Sequence, residues 1–381
     1  MSSPGWHEAR AIAAAAAPAL PCDRLTLESC CGRWLAHDVV TPVDIPHCAS
    51  SAMDGWLTVG PGPWSLGPAP SGAGFARPIV TGGLVPEGSE AVLRSESGAV
   101  VDGLLHSTHP AEPQPGQHIR PRASEAHQGE ILIAAGTFLN PAHLALAASA
   151  GIDELVVHAS PEVALVFTGD EIVTAGIPRP GRVRDSFGVQ LPQLLGLMGA
   201  GTTTAHRVGD DLGLTIEAIR EAPGQLIVTT GGTGSSSADH VRPALVALGA
   251  RLLIDGVAMR PGGPTALAQL PNGQLVLCLP GNPLAAMIAA ITIGEPLIAA
   301  LSGRRPRPTR SVSGIQITGK AGSTRLVPFS LVDGVITPAA WQGSGMLRGL
   351  ADAAGLLVVP ELGTDHGGSA EIIDLPWVRR N

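Results

Sequence analysis

The chain has 381 residues, of which 44% are hydrophobic and 15% charged, so it can bury a large core and is long enough for about two to four domains. The formal net charge is −8, tyrosine is absent and no basic stripe occurs, which argues against duplex or single-stranded nucleic acid as a partner. Lys320 is the only lysine and no Gly-Lys-Ser/Thr occurs, which argues against Schiff-base chemistry and a lysine-dependent P-loop.

Cysteine use and the apolar segments predict a soluble, cytoplasmic protein. The five cysteines form no Cys-x-x-Cys pair and are odd in number, which fits a reducing compartment better than a zinc site or a disulfide framework. The stretch MSSPGWHEAR lacks the basic start of a signal peptide. The longest apolar segment, residues 282–303, contains Glu295 and Pro296, and we interpret it as a buried helix with a bend near the proline.

The predicted elements change character twice along the chain. Residues 7–20 are rich in alanine and predict a helix, and short β-branched runs between Gly/Pro-rich turns predict a small β module up to residue 130. Residues 141–152 have helical spacing and run into Gly151, the usual end of a helix. Strand and helix patterns alternate over residues 163–301, which predicts a parallel α/β sheet, and the remainder predicts a C-terminal β domain.

Several predicted strands end in turns suited to binding an anion. In QLIVTTGGTGSSSADH (225–240), glycines allow close backbone approach and the following helix adds its positive N-terminal dipole. Asp239 either caps that helix, after a turn that is merely flexible, or holds a divalent ion. CLPGNPLAAM (278–287) repeats this arrangement, VFTGDEIV (166–173) contributes carboxylates, and VAMRPGGPTAL (257–267) contributes Arg260. Carboxylates beside an anion site predict a Mg²⁺-assisted reaction on a phosphorylated ligand.

Taken in order, these motifs resemble those of the molybdopterin molybdenumtransferase family (MoeA and the E domain of gephyrin). DIPHCASSAMDGW (44–56) resembles its Ser-Ala-Met-Asp-Gly-Tyr signature, and RPIVTGGLVPEGSEAV (77–92) its Thr-Gly turn. VFTGDEIV, RVRDSFGVQL, TTGGTGSSSADH, MRPGGP and LPGNP follow in the family's order, and WQGSGMLRGLADAAGLLVVPE (341–361) resembles its closing segment.

The resemblance implies a multidomain α/β plus β protein. Its expected parts are an N-terminal helix and elongated linker domain (1–42 and 131–158), a β module (43–130), a three-layer parallel α/β domain like the molybdopterin adenylyltransferases (159–304) and a C-terminal β barrel (305–381). It also implies a homodimer with an active site between the α/β domain of one subunit and the β module of the other. The implied reaction inserts molybdenum from molybdate into adenylylated molybdopterin with Mg²⁺ and releases AMP. Implied further partners are the upstream adenylyltransferase and molybdoenzyme apoproteins.

The resemblance also assigns roles to single residues. It implies catalytic roles for Asp54, Asp239 and Arg260, and metal ligation by Glu171, Asp210 (or its neighbour Asp211) and Asp239. Substrate contacts are implied for the following residues: Thr81, Gly82, Thr230, Gly231, Gly232, Thr233, Gly234, Ser235, Ser236, Pro280, Gly281, Asn282, Pro283 and Ser344. The structural alternatives are that Asp54 is a turn residue before Gly55 and that Ser344 is a turn residue of the barrel.

This chain departs from the family pattern at positions that bear on activity. The family's Lys-Pro-Gly-Lys-Pro is here Arg260-Pro261-Gly262-Gly263-Pro264, so arginine retains one cation and Gly263 lacks the other. Ser236 and Ser237 also stand where the family has an acid or glycine. Three hypotheses follow: an active insertase with a retuned pocket, a paralogue that binds molybdopterin or its adenylate without inserting metal, and a dimeric scaffold.

Overall fold

The computed structural model describes residues 3–67, 73–232, 239–313, 316–333, 335–364 and 369–378. The chain divides into two compact units, one comprising Met1–Asp23 with His158–Asn381 and the other Arg24–Val157. The predicted division into four domains is finer than this and stays a prediction.

Helix α1 (Trp6–Ala14) opens the chain and belongs to the larger unit, as the alanine-rich sequence predicts. It buries Trp6, Ala9 and Ala13, each at most 1% exposed, against the core of that unit.

The smaller unit is built mainly of short strands. Its elements in chain order are β1 (Asp23–Thr26), β2 (Val39–Val40), β3 (Ser50–Ser51), β4 (Gly55–Val59), β5 (Trp64–Leu66), β6 (Phe75–Ile79), β7 (Ala91–Arg94), β8 (Gly98–Val101), β9 (Leu104–Ser107), β10 (Ile119–Arg120), β11 (Ile131–Ile133), α2 (Pro141–Ser149) and β12 (Glu154–Val157). Six of these strands form one sheet in the order β7-β4-β6-β5-β9-β8, and the bounds of the predicted β module stay a prediction.

Helix α2 shows how closely local sequence fixes its ends. Asn140 accepts a hydrogen bond from the N–H of His143, and the His143 side chain accepts one from the N–H of Asn140, so both ends of a capping box are present. At the other end Gly151 adopts φ +75°, and the N–H of Ile152 reaches back to the carbonyl of Ala147. This is the Schellman ending that glycine favours.

The larger unit continues with alternating strands and helices. Its elements are β13 (Glu162–Thr168), β14 (Ile172–Val173), β15 (Val183–Arg184), α3 (Phe187–Leu197), β16 (Gly201–Val208), α4 (Leu212–Glu221), β17 (Leu226–Thr230), α5 (Val241–Ala247), β18 (Arg251–Asp255), β19 (Met259–Arg260), β20 (Ala266–Gln269), β21 (Leu275–Leu279), α6 (Pro283–Ala289), α7 (Glu295–Ser302), β22 (Arg310–Ser313), β23 (Thr324–Val332), β24 (Val335–Pro338), α8 (Arg348–Ala351), β25 (Gly355–Val359) and β26 (Ser369–Asp374).

The main sheet has the order β16-β13-β17-β21-β20-β18. Successive residues of β13 face opposite sides of it: Leu165 packs in the cluster that includes α3, α6 and α7, and Val166 in the cluster that includes α4 and α5. The helices therefore cover both faces, which gives the predicted three layers.

The prediction of a parallel sheet is right for five strands and wrong for one. Strands β16, β13, β17 and β21 pair in parallel, whereas β20 pairs antiparallel with both β21 and β18. Strand β18 therefore runs in the same direction as the four parallel strands, and β20 alone is reversed. The cause is the short turn between β20 and β21, in which Gly273 adopts φ +91° after Asn272. A parallel pair needs a crossover of about a dozen residues, and Asn-Gly in a short connection specifies a hairpin instead.

The apolar segment near residue 290 is a core helix. Pro283–Ser302 is long and apolar enough to cross a membrane, but 89% of its apolar window is buried inside the protein. A π-helical turn, Ala290–Gly294, separates α6 from α7 just before Pro296. Proline has no N–H to donate, and the carbonyl of Thr292 accepts instead from Arg10 Nη1 at 2.7 Å.

Strands β14 and β15 form a sheet of two strands, and a second large sheet has the path β19-β23-β25-β26-β22 with β24 paired to β23. Phe329, Leu357 and Ile372 pack in one cluster of this sheet and are each at most 1% exposed. The C-terminal segment therefore consists mainly of strands, while a separate C-terminal domain and its closure into a barrel stay predictions.

Candidate functional site

The carboxyl ends of four parallel strands lie side by side in the larger unit. Because the sheet order is β16-β13-β17-β21, the residues that follow these strands share one edge. Those residues are Gly209-Asp210, Gly169-Asp170, Gly231-Gly232 and Pro280-Gly281. This edge unites most of the turns that the sequence singled out.

Two carboxylates meet at this edge. The N–H of Asp170 donates to Asp210 Oδ2 at 3.3 Å, and the N–H of Asp210 donates to Asp170 Oδ1 at 3.4 Å. Gly209 permits the approach, since a Cβ at that position would lie 2.7 Å from Asp170 Oδ1. The predicted ligand Glu171 is the next residue, is exposed, and places its carboxylate against Gly169.

The structure separates the two neighbouring candidates Asp210 and Asp211. Asp211 is the N-cap of α4, where its side chain accepts from the N–H of Leu214 at 2.8 Å. Asp210 instead faces Asp170. Asp211 therefore has a structural use as a helix cap, and Asp210 keeps the predicted role of a ligand. Sequence reasoning noted Asp170 but did not choose it for the site, although its position after a strand end is the same signal that selected Glu171.

The glycine turn after β17 is tightly enclosed. Gly231 and Gly232 have φ +78° and +60°, and a Cβ on Gly231 would lie 2.8 Å from Thr168 Oγ1. A Cβ on Gly281 would lie 3.5 Å from the Cα of Gly231, so the turns after β17 and β21 adjoin. Thr230, 1% exposed, has a hydroxyl without a hydrogen-bond partner among the described residues.

The rest of this loop is only partly described. Thr233, Gly234, Ser235 and Ser236 lie outside the described residues, as does Ser237. Asp239 is half-buried and precedes α5, whose N-cap position is His240. Both predicted roles of Asp239, helix cap and metal ligand, therefore stay open.

The Pro-Gly-Asn-Pro turn leads into α6, which begins at Pro283 with Asn282 as its N-cap. The N–H of Ala285 in the first turn donates to the carbonyl of Ser344 at 3.1 Å. This bond joins the predicted late serine to the turn after β21.

Ser344 also lines a cleft of about 250 Å³ with the predicted Arg260. The register pairs Arg260 of β19 with Arg325 of β23, so these two arginines are neighbours across the strands. The lining residues are Arg260, Pro261, Arg325, Leu326, Val327, Gln342 and Ser344, and none of them is acidic. Sequence reasoning missed Arg325, which lies in no quoted motif, and Gln342, which lies within one. A larger cavity of about 540 Å³, lined by His7 and Glu371 among others, contains none of the predicted site residues.

In the smaller unit the structure joins two predicted residues directly. The N–H and the hydroxyl of Thr81 both donate to Asp54 Oδ1, at 2.6 and 2.8 Å. These hydrogen bonds stabilise the ionised carboxylate and lower the pKa of Asp54 below its usual value. Gly55 has φ +154° and no room for a Cβ, which would lie 2.0 Å from the carbonyl oxygen of Leu93. Gly82, also predicted, follows Thr81 with φ +77°.

The donor chemistry of the strand edge suits Mg²⁺. Within the described part of the chain, no three His, Cys, Asp or Glu side chains converge as a ready metal cluster. Mg²⁺, however, is usually bound by about one or two carboxylates, with waters and substrate phosphates completing its coordination. The Asp170–Asp210 pair beside glycine turns meets that requirement.

Models of three protein-family regions match consecutive parts of the chain. A MoeA N-terminal region (domain I and II) matches residues 5–151, a probable molybdopterin binding domain matches residues 164–300, and a MoeA C-terminal region (domain IV) matches residues 310–375.

Relatives and a solved structure agree with these matches. A molybdopterin molybdenumtransferase of Nostoc sp. is 31% identical, over 91% of this chain and 87% of the relative. The Haemophilus influenzae protein of the same name is 30% identical, over 74% of this chain and 73% of its own length. The crystal structure of a Pyrococcus horikoshii MoeA protein, 23% identical, covers 99% of this chain and all of that one with a TM-score of 0.76, which establishes the shared fold. The chain belongs to the molybdopterin molybdenumtransferase (MoeA) family.

Proposed function

We propose that this protein inserts molybdenum from molybdate into adenylylated molybdopterin and releases AMP. The proposal rests on family membership and on one feature of the larger unit. There the glycine-lined strand edge and the arginine cleft are joined by the bond from the N–H of Ala285 to the carbonyl of Ser344. Two adjacent anion sites are what a reaction between a phosphorylated pterin and an oxyanion requires.

The strand edge would hold the phosphate-bearing substrate. Gly231, Gly232 and Gly281 expose backbone where side chains would obstruct, since a Cβ at Gly231 would meet Thr168 Oγ1 and one at Gly232 would lie 2.9 Å from Val241 Cγ2. The first turn of α6 adds the positive end of a helix dipole to the same edge. Backbone N–H groups and a helix dipole together bind phosphate without a lysine.

The arginine cleft would hold molybdate, a tetrahedral dianion. Arg260 and Arg325 lie across one strand pair, and no ion pair to a carboxylate is formed by either within the described residues. Guanidinium groups bind oxyanions through paired N–H donors. The hydroxyl of Ser344 adds a neutral donor to the cleft.

Asp170 and Asp210 would hold Mg²⁺, with Glu171 and Asp239 as the further predicted ligands. When bound, Mg²⁺ neutralises negative charge on the phosphate groups of the substrate. Without such a cation the two carboxylates would repel a phosphate at this edge. Their backbone N–H groups hold the pair in place through reciprocal hydrogen bonds.

Asp54 suits the role of a hydrogen-bond acceptor. Its pKa is lowered by two hydrogen bonds from Thr81, so at neutral pH it is ionised and can orient a water or a hydroxyl group. We also infer, from the family resemblance, that the protein is a cytoplasmic homodimer. Sedimentation of the purified chain would detect the dimer.

AMP release from adenylylated molybdopterin, with molybdate and Mg²⁺ added to the purified protein, tests the function. We expect molybdate-dependent AMP release that is lost in Asp239→Asn and strongly reduced in Arg260→Ala. Arg251→Ala is the matched control, because Arg251 is exposed on β18 and its side chain bonds only Gln269 among the described residues. Equal loss in both arginine variants would contradict the assignment of the cleft.

Binding of the adenylate without any AMP release would instead favour the non-inserting paralogue. The reason for considering it is that Gly263 lacks the second cation of the family's motif. A Cβ at Gly263 would lie 3.4 Å from the carbonyl oxygen of Met259, and its φ is not in the left-handed region. Gly263→Lys is therefore a feasible variant, and a gain of turnover on restoring this cation would identify it as the missing part.

A further inference from the structure

Arg325 is held in the cleft by contacts that leave its charge uncompensated. Its Nη1 donates to the carbonyl of Thr318, and its Nη2 donates to Gln342 Oε1 at 3.0 Å. Both acceptors are neutral. A guanidinium has five N–H donors, so these contacts fix its orientation and leave other donors for a ligand.

The orientation of the Gln342 amide follows from its two contacts. Gln342 Nε2 donates to the carbonyl of Ala339 at 2.7 Å, and that carbonyl can only accept. Arg325 can only donate, so the amide oxygen must face it. Ala339 is in turn anchored to β23, since its N–H donates to the carbonyl of Pro328 at 2.8 Å. A chain of neutral hydrogen bonds thus links the strand to the guanidinium.

We propose that Gln342 is a positioning residue of the oxyanion cleft, which aims Arg325 at the bound anion while preserving its positive charge. The proposal rests on the proposed function, because it assumes that the cleft receives molybdate. A carboxylate is the commoner partner of a buried or half-buried arginine, and here it would neutralise one of the two cations that the cleft offers. The amide supplies the same geometry without that charge.

Gln342→Glu separates the two roles, because it keeps the shape of the side chain and changes its charge. We expect the affinity for molybdate alone, measured by calorimetry on the full chain, to fall on the order of tenfold, the factor that corresponds to about 1.4 kcal/mol. The melting temperature should stay the same or rise, since the new carboxylate pairs with Arg325. If Gln342 only maintained the fold, Gln342→Glu would lower the melting temperature and leave the molybdate affinity unchanged.

The chain offers a matched control. Gln269 Oε1 accepts from Arg251 Nη2 at 2.8 Å on strands outside the cleft, so Gln269→Glu makes the same charge change at another Arg–Gln pair. It should leave molybdate affinity unchanged. Gln342→Ala should weaken binding less than Gln342→Glu, because it frees Arg325 without neutralising it.

Three results would overturn the proposal. The first is undiminished molybdate binding in Gln342→Glu, and the second is an equal loss of affinity in Gln342→Glu and Gln342→Ala. The third is that the unchanged protein does not bind molybdate, or binds it with an affinity that Arg325→Ala leaves unchanged. A failure of the proposed function is read separately, as absence of AMP release from the adenylate. Molybdate binding with the expected pattern of variants, but without AMP release, would support Gln342 and reject the insertase.

Discussion

Gly231→Ala adds one methyl group and should distort the glycine turn after β17 for two separable reasons. The residue has φ +78°, and a left-handed conformation costs a non-glycine residue about 1–2 kcal/mol. The new Cβ would also lie 2.8 Å from Thr168 Oγ1, a distance that forces one of them to move. Thr168 is itself bonded to the carbonyl of Thr230 at 2.9 Å, so it resists displacement. The backbone of the glycine turn must therefore shift.

Gly273→Ala isolates the conformational cost from the contact. Gly273 has φ +91° in the β20–β21 turn, but a Cβ there would meet nothing within 4 Å. Both variants should lower the melting temperature, and Gly231→Ala more so. Only Gly231→Ala should reduce molybdate-dependent AMP release, on the order of a hundredfold in kcat/KM, the loss that a misplacement of about 1 Å can cause.

A second substitution tests whether the contact is the cause. Thr168→Ala removes the oxygen that Gly231→Ala would meet, so the double variant should recover part of the lost turnover, with Thr168→Ala alone as its reference. Equal activity of Gly231→Ala and Gly273→Ala would refute the view that a bare backbone at this edge receives the substrate. Absence of any recovery in the double variant would refute the steric explanation.

Three other predictions concern titration and stability. Thr81→Val removes one hydrogen bond to Asp54, so the pKa of Asp54 should rise toward its ordinary value, which a carbon-13 NMR titration of the carboxyl group would measure; an unchanged value would contradict the assigned cause. Burial raises the pKa of Cys278 to about 11, so this thiol should resist alkylation at pH 8 in the folded protein while the exposed cysteines react, as peptide mass spectrometry would reveal. Glu295→Ala should destabilise the protein by about 3–5 kcal/mol, because it removes the buried carboxylate that lies 3.9 Å from Arg304, whose side chain is 7% exposed. A melting temperature no lower than that of a variant at an exposed glutamate of α4 would contradict this last expectation.

Local sequence determined most of the secondary structure and several turns. The ends of α2 follow from Asn140 and Gly151, and the strand β17 follows from the apolar run that ends at Thr230. These features depend on residues within a few positions of one another, so pattern and capping chemistry suffice to predict them. The alternation of strand and helix patterns and the order of the motifs also let the sequence indicate the family and the ends of the strands at which the candidate site lies.

Pairing between distant segments was decided only by the tertiary structure. The prediction of an entirely parallel sheet was wrong for β20, because strand direction depends on which segments pair as well as on the pattern of each. The Asn272-Gly273 pair is a local signal for that hairpin. The alternation of strands and helices over residues 163–301, on which the parallel sheet was predicted, does not reveal it.

The same limit applies to the candidate site. Sequence alone could not choose between Asp210 and Asp211, because the two are adjacent and differ only in direction: one caps α4 and the other meets Asp170 from another strand. Nor could it bring Arg325 beside Arg260, since 65 residues separate them and only the register of β19 with β23 makes them neighbours. The types of residue needed for the chemistry are thus set locally, whereas their convergence depends on long-range pairing that the hydrophobic core stabilises.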